Sequence, residues 1–312
     1  MYSSGGTPAG GRLLYQPDRI LSVRNYALDT TYREGKDFLV QGNTIVRSEG
    51  SLMRYRADTS FDKKNLSWYN IQSQWVVVTY THHDKWPGPV PEYSGDRLPR
   101  VVGRLKSGQP VTIVAYGMSI TRGMDVSGYD RVAPFMPTYV QLFARGVQER
   151  YPKASIRMYN AGLPGSTVAW GAQYAEQYVN PLHPDLVVLD FGMNDFWRMR
   201  PGEFGDSIRT IMRKVRAANP GVEFLLLSNM KFDPDYVLES DSSKGFYTGN
   251  LAGYHEQLRA LEGPGVIGLN MTGISEVLYQ RKKAKDCIVN PLHPNDYMAR
   301  WYAQGMVAVV CP

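Results

Sequence analysis

Four short segments carry side chains whose types and order suit activated-serine chemistry. They are Gly117-Met118-Ser119, residues 160–167 (Asn-Ala-Gly-Leu-Pro-Gly-Ser-Thr), Gly192-Met193-Asn194-Asp195, and residues 290–296 (Asn-Pro-Leu-His-Pro-Asn-Asp). A serine hydroxyl is a weak nucleophile until a base takes its proton, and imidazole titrates near neutrality. Ser119 and His293 are therefore the candidate nucleophile and base. Attack on an acyl carbonyl builds an oxyanion, and loss of one preorganised donor to it typically costs about 3–4 kcal/mol of barrier. The candidate donors are the backbone N–H groups of Ser119 and Gly165 and the carboxamide of Asn194. Glycine lets a backbone N–H approach a ligand without an intervening Cβ, and a carboxamide donor does not titrate. Such chemistry needs no cofactor. A metal site is not expected either: His82 and His83 are adjacent in an expected strand and point to opposite faces.

The elements that must position these groups follow from periodicity. From about Leu98 the sequence alternates between apolar β-rich runs and helical patterns. Strands are expected at 111–116, 155–159, 186–191, 223–228 and 266–269, and the first three candidate segments follow strands. Ile208, Ile211, Met212 and Val215 repeat at helical spacing, and residues 296–310 read as a final helix. Continuous apolar strands separated by helices imply a parallel sheet covered on both faces. Strand ends then share one edge, so segments remote in sequence can converge, and a late loop can bring His293 to them.

The first hundred residues have a different texture. Strands are expected at 19–26, 37–46, 51–56 and 74–82, without long helices between them, which suggests a small β-sandwich-like unit. Residues 85–92 hold three prolines and read as a linker. The expected organisation is a flexible leader at 1–11, a β-rich unit with its linker at 12–97, and an α/β domain at 98–312.

Composition narrows the function classes. The 312 residues are 43% hydrophobic and 21% charged, as in ordinary globular proteins. No apolar run approaches the ~20 residues of a membrane span, so no membrane partner is expected. The net charge of +6 is modest. The densest basic run, Arg281-Lys-Lys-Ala-Lys285, follows an expected helix at 274–279 and reads as its solvated end, so no nucleic-acid partner is expected. Cys287 and Cys311 read as free thiols, with pairing left open. Residues 1–11 lack the apolar core of a signal peptide; a leader already removed is compatible with this, and a secreted or periplasmic location is expected, with a cytoplasmic one open. Oligomeric state is not legible.

Gly117-Met-Ser119, Gly165, Gly192-x-Asn194-Asp195 and His293-Pro together resemble the four sequence blocks of the SGNH hydrolases, also called GDSL-type esterases and lipases. The resemblance covers roughly residues 110–312. It implies a three-layer α/β/α, flavodoxin-like fold and ester hydrolysis through an acyl-serine. The blocks are most similar to those of carbohydrate acetylesterases, some of which carry an N-terminal β-rich accessory domain; the implied substrate is an acylated carbohydrate or small ester. Alternatives are a lipase, thioesterase or lysophospholipase, or a non-catalytic carbohydrate-binding protein on this fold. The nucleophile elbow of α/β-hydrolases fits less well, because Thr121 stands where that elbow needs glycine.

Two positions depart from the family pattern. Met118 replaces the usual aspartate before the serine, and Asn290 stands three residues before His293, where the triad acid is usual. An amide can orient an imidazole but cannot stabilise imidazolium as a carboxylate does. The candidate orienters are Asn290, Asp286 and Asp296, with Asp296 also expected to cap the last helix. Asp195 is expected to bond backbone beside the site, and Trp197 and Arg198 are candidates for a substrate pocket.

Overall fold

The structure is a computed structural model, and it describes residues 9–55, 73–233 and 250–312. Among the described residues, the N-terminal unit contains six strands: β1 (Gly10–Arg12), β2 (Arg19–Asn25), β3 (Thr31–Tyr32), β4 (Phe38–Gln41), β5 (Thr44–Arg47) and β6 (Val76–Thr81). They form two three-stranded antiparallel sheets, β1-β5-β4 and β3-β2-β6. Leu13, Val23, Phe38, Ile45 and Met53 form the apolar core of this unit.

Three expectations change here. Of the expected leader, Gly10 and Gly11 pair with Val46 and Ile45, so chain order begins inside it; residues 1–8 lie outside the described residues. The expected strand at 37–46 is a hairpin, because Gly42-Asn43 turns the chain between β4 and β5. Residues 51–55 are not a strand; Arg47 takes the carbonyls of Met53 (2.8 Å) and Ser51 that a ladder would use, and Arg56 lies outside the described residues.

The rest of the chain is an α/β sandwich. In chain order it contains α1 (Pro99–Lys106), β7 (Val111–Gly117), α2 (Ser119–Arg122), α3 (Tyr139–Arg150), β8 (Ile156–Gly162) and α4 (Val168–Tyr178). It continues with β9 (Leu186–Asp190), α5 (Pro201–Ala218), β10 (Glu223–Ser228), α6 (Asn250–Arg259), β11 (Val266–Asn270), α7 (Met271–Arg281) and α8 (Asp296–Val310). The strands form one parallel sheet in the order β11-β10-β9-β7-β8. Every residue of β9 and β10 is buried, as a sheet covered on both faces requires.

Helix α3 packs against β8 and α8, while α4, α5 and α6 pack on one another in series, two groups that right-handed crossovers would place on opposite faces of the sheet. The chain passes from β7 to β8, then crosses back over β7 to β9. That reversal makes the carboxyl ends of β7 and β9 a topological switch point, the place where open α/β sheets bind ligands.

The two units are joined by side chains. Tyr26 and Trp75 pack on Val289, and Trp75 Nε1 donates to the Lys285 carbonyl (3.1 Å), so the β unit rests on the loop that leads to His293. A cavity of about 540 Å³ lies beside this contact, lined among others by Tyr15, Trp75, Tyr297 and Trp301; neither Ser119 nor His293 lines it.

Candidate active site

Strand β7 ends at Gly117, and the chain turns at once into α2, a single helical turn that starts with Ser119. The turn closes on Gly123, whose φ of +90° is left-handed and easiest for glycine. Ser119 is thus held just past the carboxyl end of β7, only 6% exposed. Facing it, residues 287–295 form a tight loop. Val289 N donates to His293 O (3.0 Å) and Asn295 N to Cys287 O (3.0 Å). Asn290 Oδ1 accepts from the backbone N–H groups of Leu292 (2.8 Å) and His293 (2.9 Å). This loop places His293 Nε2 2.8 Å from Ser119 Oγ, within reach for proton transfer.

The group facing the other ring nitrogen is Asp125, whose Oδ2 lies 2.5 Å from His293 Nδ1. Asp125 is buried, has φ +68°, and follows the α2 turn by three residues. Its carboxylate also accepts from Asn290 Nδ2 (2.7 Å). Ser119, His293 and Asp125 therefore have the geometry of a nucleophile, base and acid. Asp125 was not among the expected orienters, all of which lie within ten residues of His293 in sequence. The available signal was an acidic residue two positions past a helix-ending glycine, where the chain folds back on itself.

The three named orienters have other partners. Asn290 touches the imidazole through its amide nitrogen, 2.9 Å from Nδ1. That nitrogen is a donor, and Nδ1–H needs an acceptor. Asn290 thus shapes the loop and steadies Asp125. Asp296 accepts from Ser127 N (2.8 Å) and Ser127 Oγ (2.7 Å), bracing the loop that carries Asp125. Nor does it cap α8: Asn295 does so, its Oδ1 accepting from Tyr297 N and Met298 N. Asp286 has Lys282 Nζ at 3.9 Å and makes no hydrogen bond to His293.

The candidate oxyanion donors arrive from β7, β8 and β9. The turn after β8 is tied to the end of β7, since Leu163 N and Ser166 Oγ both donate to Gly117 O at 3.0 Å. Gly165 lies in that turn with a left-handed φ of +78°, which favours glycine, and a Cβ there would meet nothing within 4 Å. After β9, Asn194 Nδ2 donates to Ser166 O (2.9 Å) and lies 3.9 Å from Met118 Sδ. Both amide protons thus have acceptors, but a thioether is a weak one, and a developing oxyanion would compete for the proton now given to Met118 Sδ.

Asp195 accepts the Val168 N–H (3.0 and 3.2 Å) at the positive end of α4; burial still lifts its pKa to about 6. Trp197 is half-buried against Phe196, and the guanidinium of exposed Arg198 lies 5.3 Å from the Trp197 ring. Cys287 and Cys311 are both buried free thiols.

Residues 115–301 match the model of the GDSL-like lipase/acylhydrolase family, well over half of the chain. No curated protein matches. Among solved structures, one similar to this chain is a two-domain esterase active on acetylated mannans, co-crystallised with mannopentaose. It shares 22% identity at a TM-score of 0.55, over 72% of this chain and 57% of the esterase. The chain thus spans a little over half the length of that protein. A GDSL-like lipase from Parabacteroides merdae is 17% identical at a TM-score of 0.53, over 71% of this chain and 99% of its own. A variant of Axe2, an acetyl-xylooligosaccharide esterase from Geobacillus, is 18% identical at a TM-score of 0.51, over 64% of this chain and 94% of its own. At such identities the likeness speaks for the fold. The family match rests on the segment that holds Ser119, Asp125, Asn194 and His293, and with it the chain belongs to the GDSL-like lipase/acylhydrolase family.

Proposed function

We propose that this acylhydrolase removes short acyl groups, foremost acetyl groups, from carbohydrate esters. The observation that carries the reading is the pair of contacts at His293, with Nε2 2.8 Å from Ser119 Oγ and Nδ1 2.5 Å from Asp125 Oδ2. Asp125 accepts the Nδ1 proton and so leaves the Nε2 lone pair facing the hydroxyl. As Ser119 Oγ bonds to the acyl carbon, His293 takes its proton and the resulting imidazolium is stabilised by Asp125. The carbonyl oxygen gains the negative charge, toward which the Ser119 and Gly165 N–H groups and the Asn194 amide donate.

The tetrahedral intermediate expels the sugar alkoxide, which receives the proton from His293. A water molecule, deprotonated by the same imidazole, then attacks the acyl-serine. Acid leaves, and the proton returns to Ser119.

The short-acyl and carbohydrate parts of the proposal draw support from proteins of similar fold, one active on acetylated mannans and one an acetyl-xylooligosaccharide esterase. The test is acetate release from acetylated mannan and acetylated xylan, run beside p-nitrophenyl esters from acetate to decanoate. Acetate release together with falling rates for longer chains is the expected result. Rates that hold or rise toward decanoate, without acetate release from either polysaccharide, would overturn it in favour of a lipase-like enzyme.

A further inference from the structure

Beneath the nucleophile turn lies a carboxyl group that the catalytic scheme leaves unused. Asp190, the last residue of β9, is 0% exposed. Three groups from three other elements donate to it: Thr121 Oγ1 in α2 (2.8 Å), Tyr139 OH in α3 (2.7 Å), and Asn229 Nδ2 just past β10 (2.7 Å). All three are neutral. Burial of an unpaired carboxylate costs several kcal/mol even after relaxation, and here it lifts the pKa to about 6. A neutral amide could tie the same strands together at less cost, which points to a use for the acceptor-only character of a carboxylate.

That use is visible at Thr121. A threonine hydroxyl has one proton to donate, and Asp190 receives it. The hydroxyl oxygen is then obliged to act as acceptor toward the next donor, the Met118 N–H at 3.0 Å. Met118 immediately precedes Ser119, and Thr121 follows it by two. One hydroxyl therefore pins both sides of the turn that aims Ser119 Oγ at His293 and Ser119 N–H at the oxyanion position. The close fit also demands Gly117: a Cβ there would fall 2.1 Å from Thr121 Oγ1 and 2.2 Å from the Asp190 carbonyl oxygen.

We propose that Asp190 is a positioning residue for ester hydrolysis, which acts through Thr121 to fix the direction of Ser119. This rests on Ser119 being the nucleophile. Asparagine at position 190 would present an N–H₂ to Thr121 Oγ1 as readily as its oxygen, leaving the hydroxyl the longer contact to the backbone carbonyl of residue 190 (3.3 Å) as its acceptor.

The test compares Asp190→Asn, Thr121→Val, Thr121→Ser and the double variant Asp190→Asn/Thr121→Val in the full chain. The readout is kcat for p-nitrophenyl acetate per active site, counted by covalent organophosphonate titration, so that loss of folded protein does not enter. Misplacement of a reacting group by about 1 Å is worth up to roughly a hundredfold. Asp190→Asn and Thr121→Val should each lower kcat per titrated serine by roughly ten- to a hundredfold, with KM little changed. The double variant should be no slower than the slower single one, and Thr121→Ser should stay close to wild type.

An unchanged kcat per titrated site in Asp190→Asn, or losses that multiply in the double variant, would overturn the proposal. Should Asp190→Asn fail to fold, the contrast between Thr121→Val and Thr121→Ser decides it alone, and equal rates in those two would overturn it. Failure of the underlying reading looks different: wild type itself would take up no organophosphonate.

Discussion

Asp125 and His293 are separated by 168 positions in the chain, yet Asp125 Oδ2 lies 2.5 Å from His293 Nδ1. Asp125 lies three residues past the turn that carries Ser119, while His293 lies in the loop between α7 and α8. Asn290, at the position where the family pattern has an acid, serves this arrangement by donating to Asp125 and accepting two backbone N–H groups of its own loop.

This arrangement predicts that Asp125→Asn keeps the fold and lowers kcat for p-nitrophenyl acetate by roughly a thousand- to ten-thousandfold, the range of such a change in other Ser-His-Asp enzymes. Asp286→Asn should cost less than about tenfold, since a group without contact to the imidazole does not shape its transition-state charge. Steady-state kinetics on the two purified variants decide the matter, and equal losses would remove Asp125 from its place.

Asn194 is predicted to matter in the transition state rather than in binding. Replacing it with alanine should lower kcat by about a hundred- to a thousandfold and leave KM within a fewfold. A rise in KM at constant kcat would mean that Asn194 holds the substrate instead of the oxyanion.

Asp296 has a structural part, through Ser127. Ser127→Ala removes a donor to a buried carboxylate and also the acceptor of the Met136 N–H at 2.8 Å. A lost hydrogen bond to a charged group costs about 1.5–3 kcal/mol. Denaturant unfolding should show a loss of that order, and activity should fall with it because the Asp125 loop loosens. Unchanged stability would show the brace to be idle.

Asp190 gives stability a pH dependence whose sign is fixed. Its pKa rises from an ordinary 3.8 to about 6 in the folded protein. The folded state therefore binds more protons than the unfolded state between those values. The contribution is fully present below about pH 4 and is lost as pH rises through 6, by about 3 kcal/mol in all. Tyr139 and Tyr302, the titratable groups that face it, are held well above 10.0 and stay protonated throughout. Wild type should thus lose more stability than Asp190→Asn between pH 4 and 7.5, as read by thermal melts. Parallel curves for the two would contradict this.

The parallel sheet was legible because its strands are buried on both faces and so read as unbroken apolar runs. β9, β10 and β11 fall within a residue of their expected ends, and α8 matches its expected bounds. The placement of Ser119, Gly165 and Asn194 just past β7, β8 and β9, and of His293 in a late loop, was legible from the pattern of elements. Asp125 was not, because an acid is assigned by what it touches, and its partner is contributed by a loop 168 positions away. The same holds for Asp296, which sits at a helix start as a cap would but spends its oxygens on Ser127. At residues 51–55 a β-like pattern was overruled by one guanidinium, which takes the backbone carbonyls for itself.

The central claim is that Ser119 is a nucleophile activated by His293. Its most direct test is intact-mass and peptide-mapped mass spectrometry after exposure to an organophosphonate. One adduct on the peptide containing Ser119 is predicted, absent in Ser119→Ala and formed far more slowly in His293→Ala. A folded wild type that takes up no adduct, or an adduct that persists in Ser119→Ala, would contradict the account.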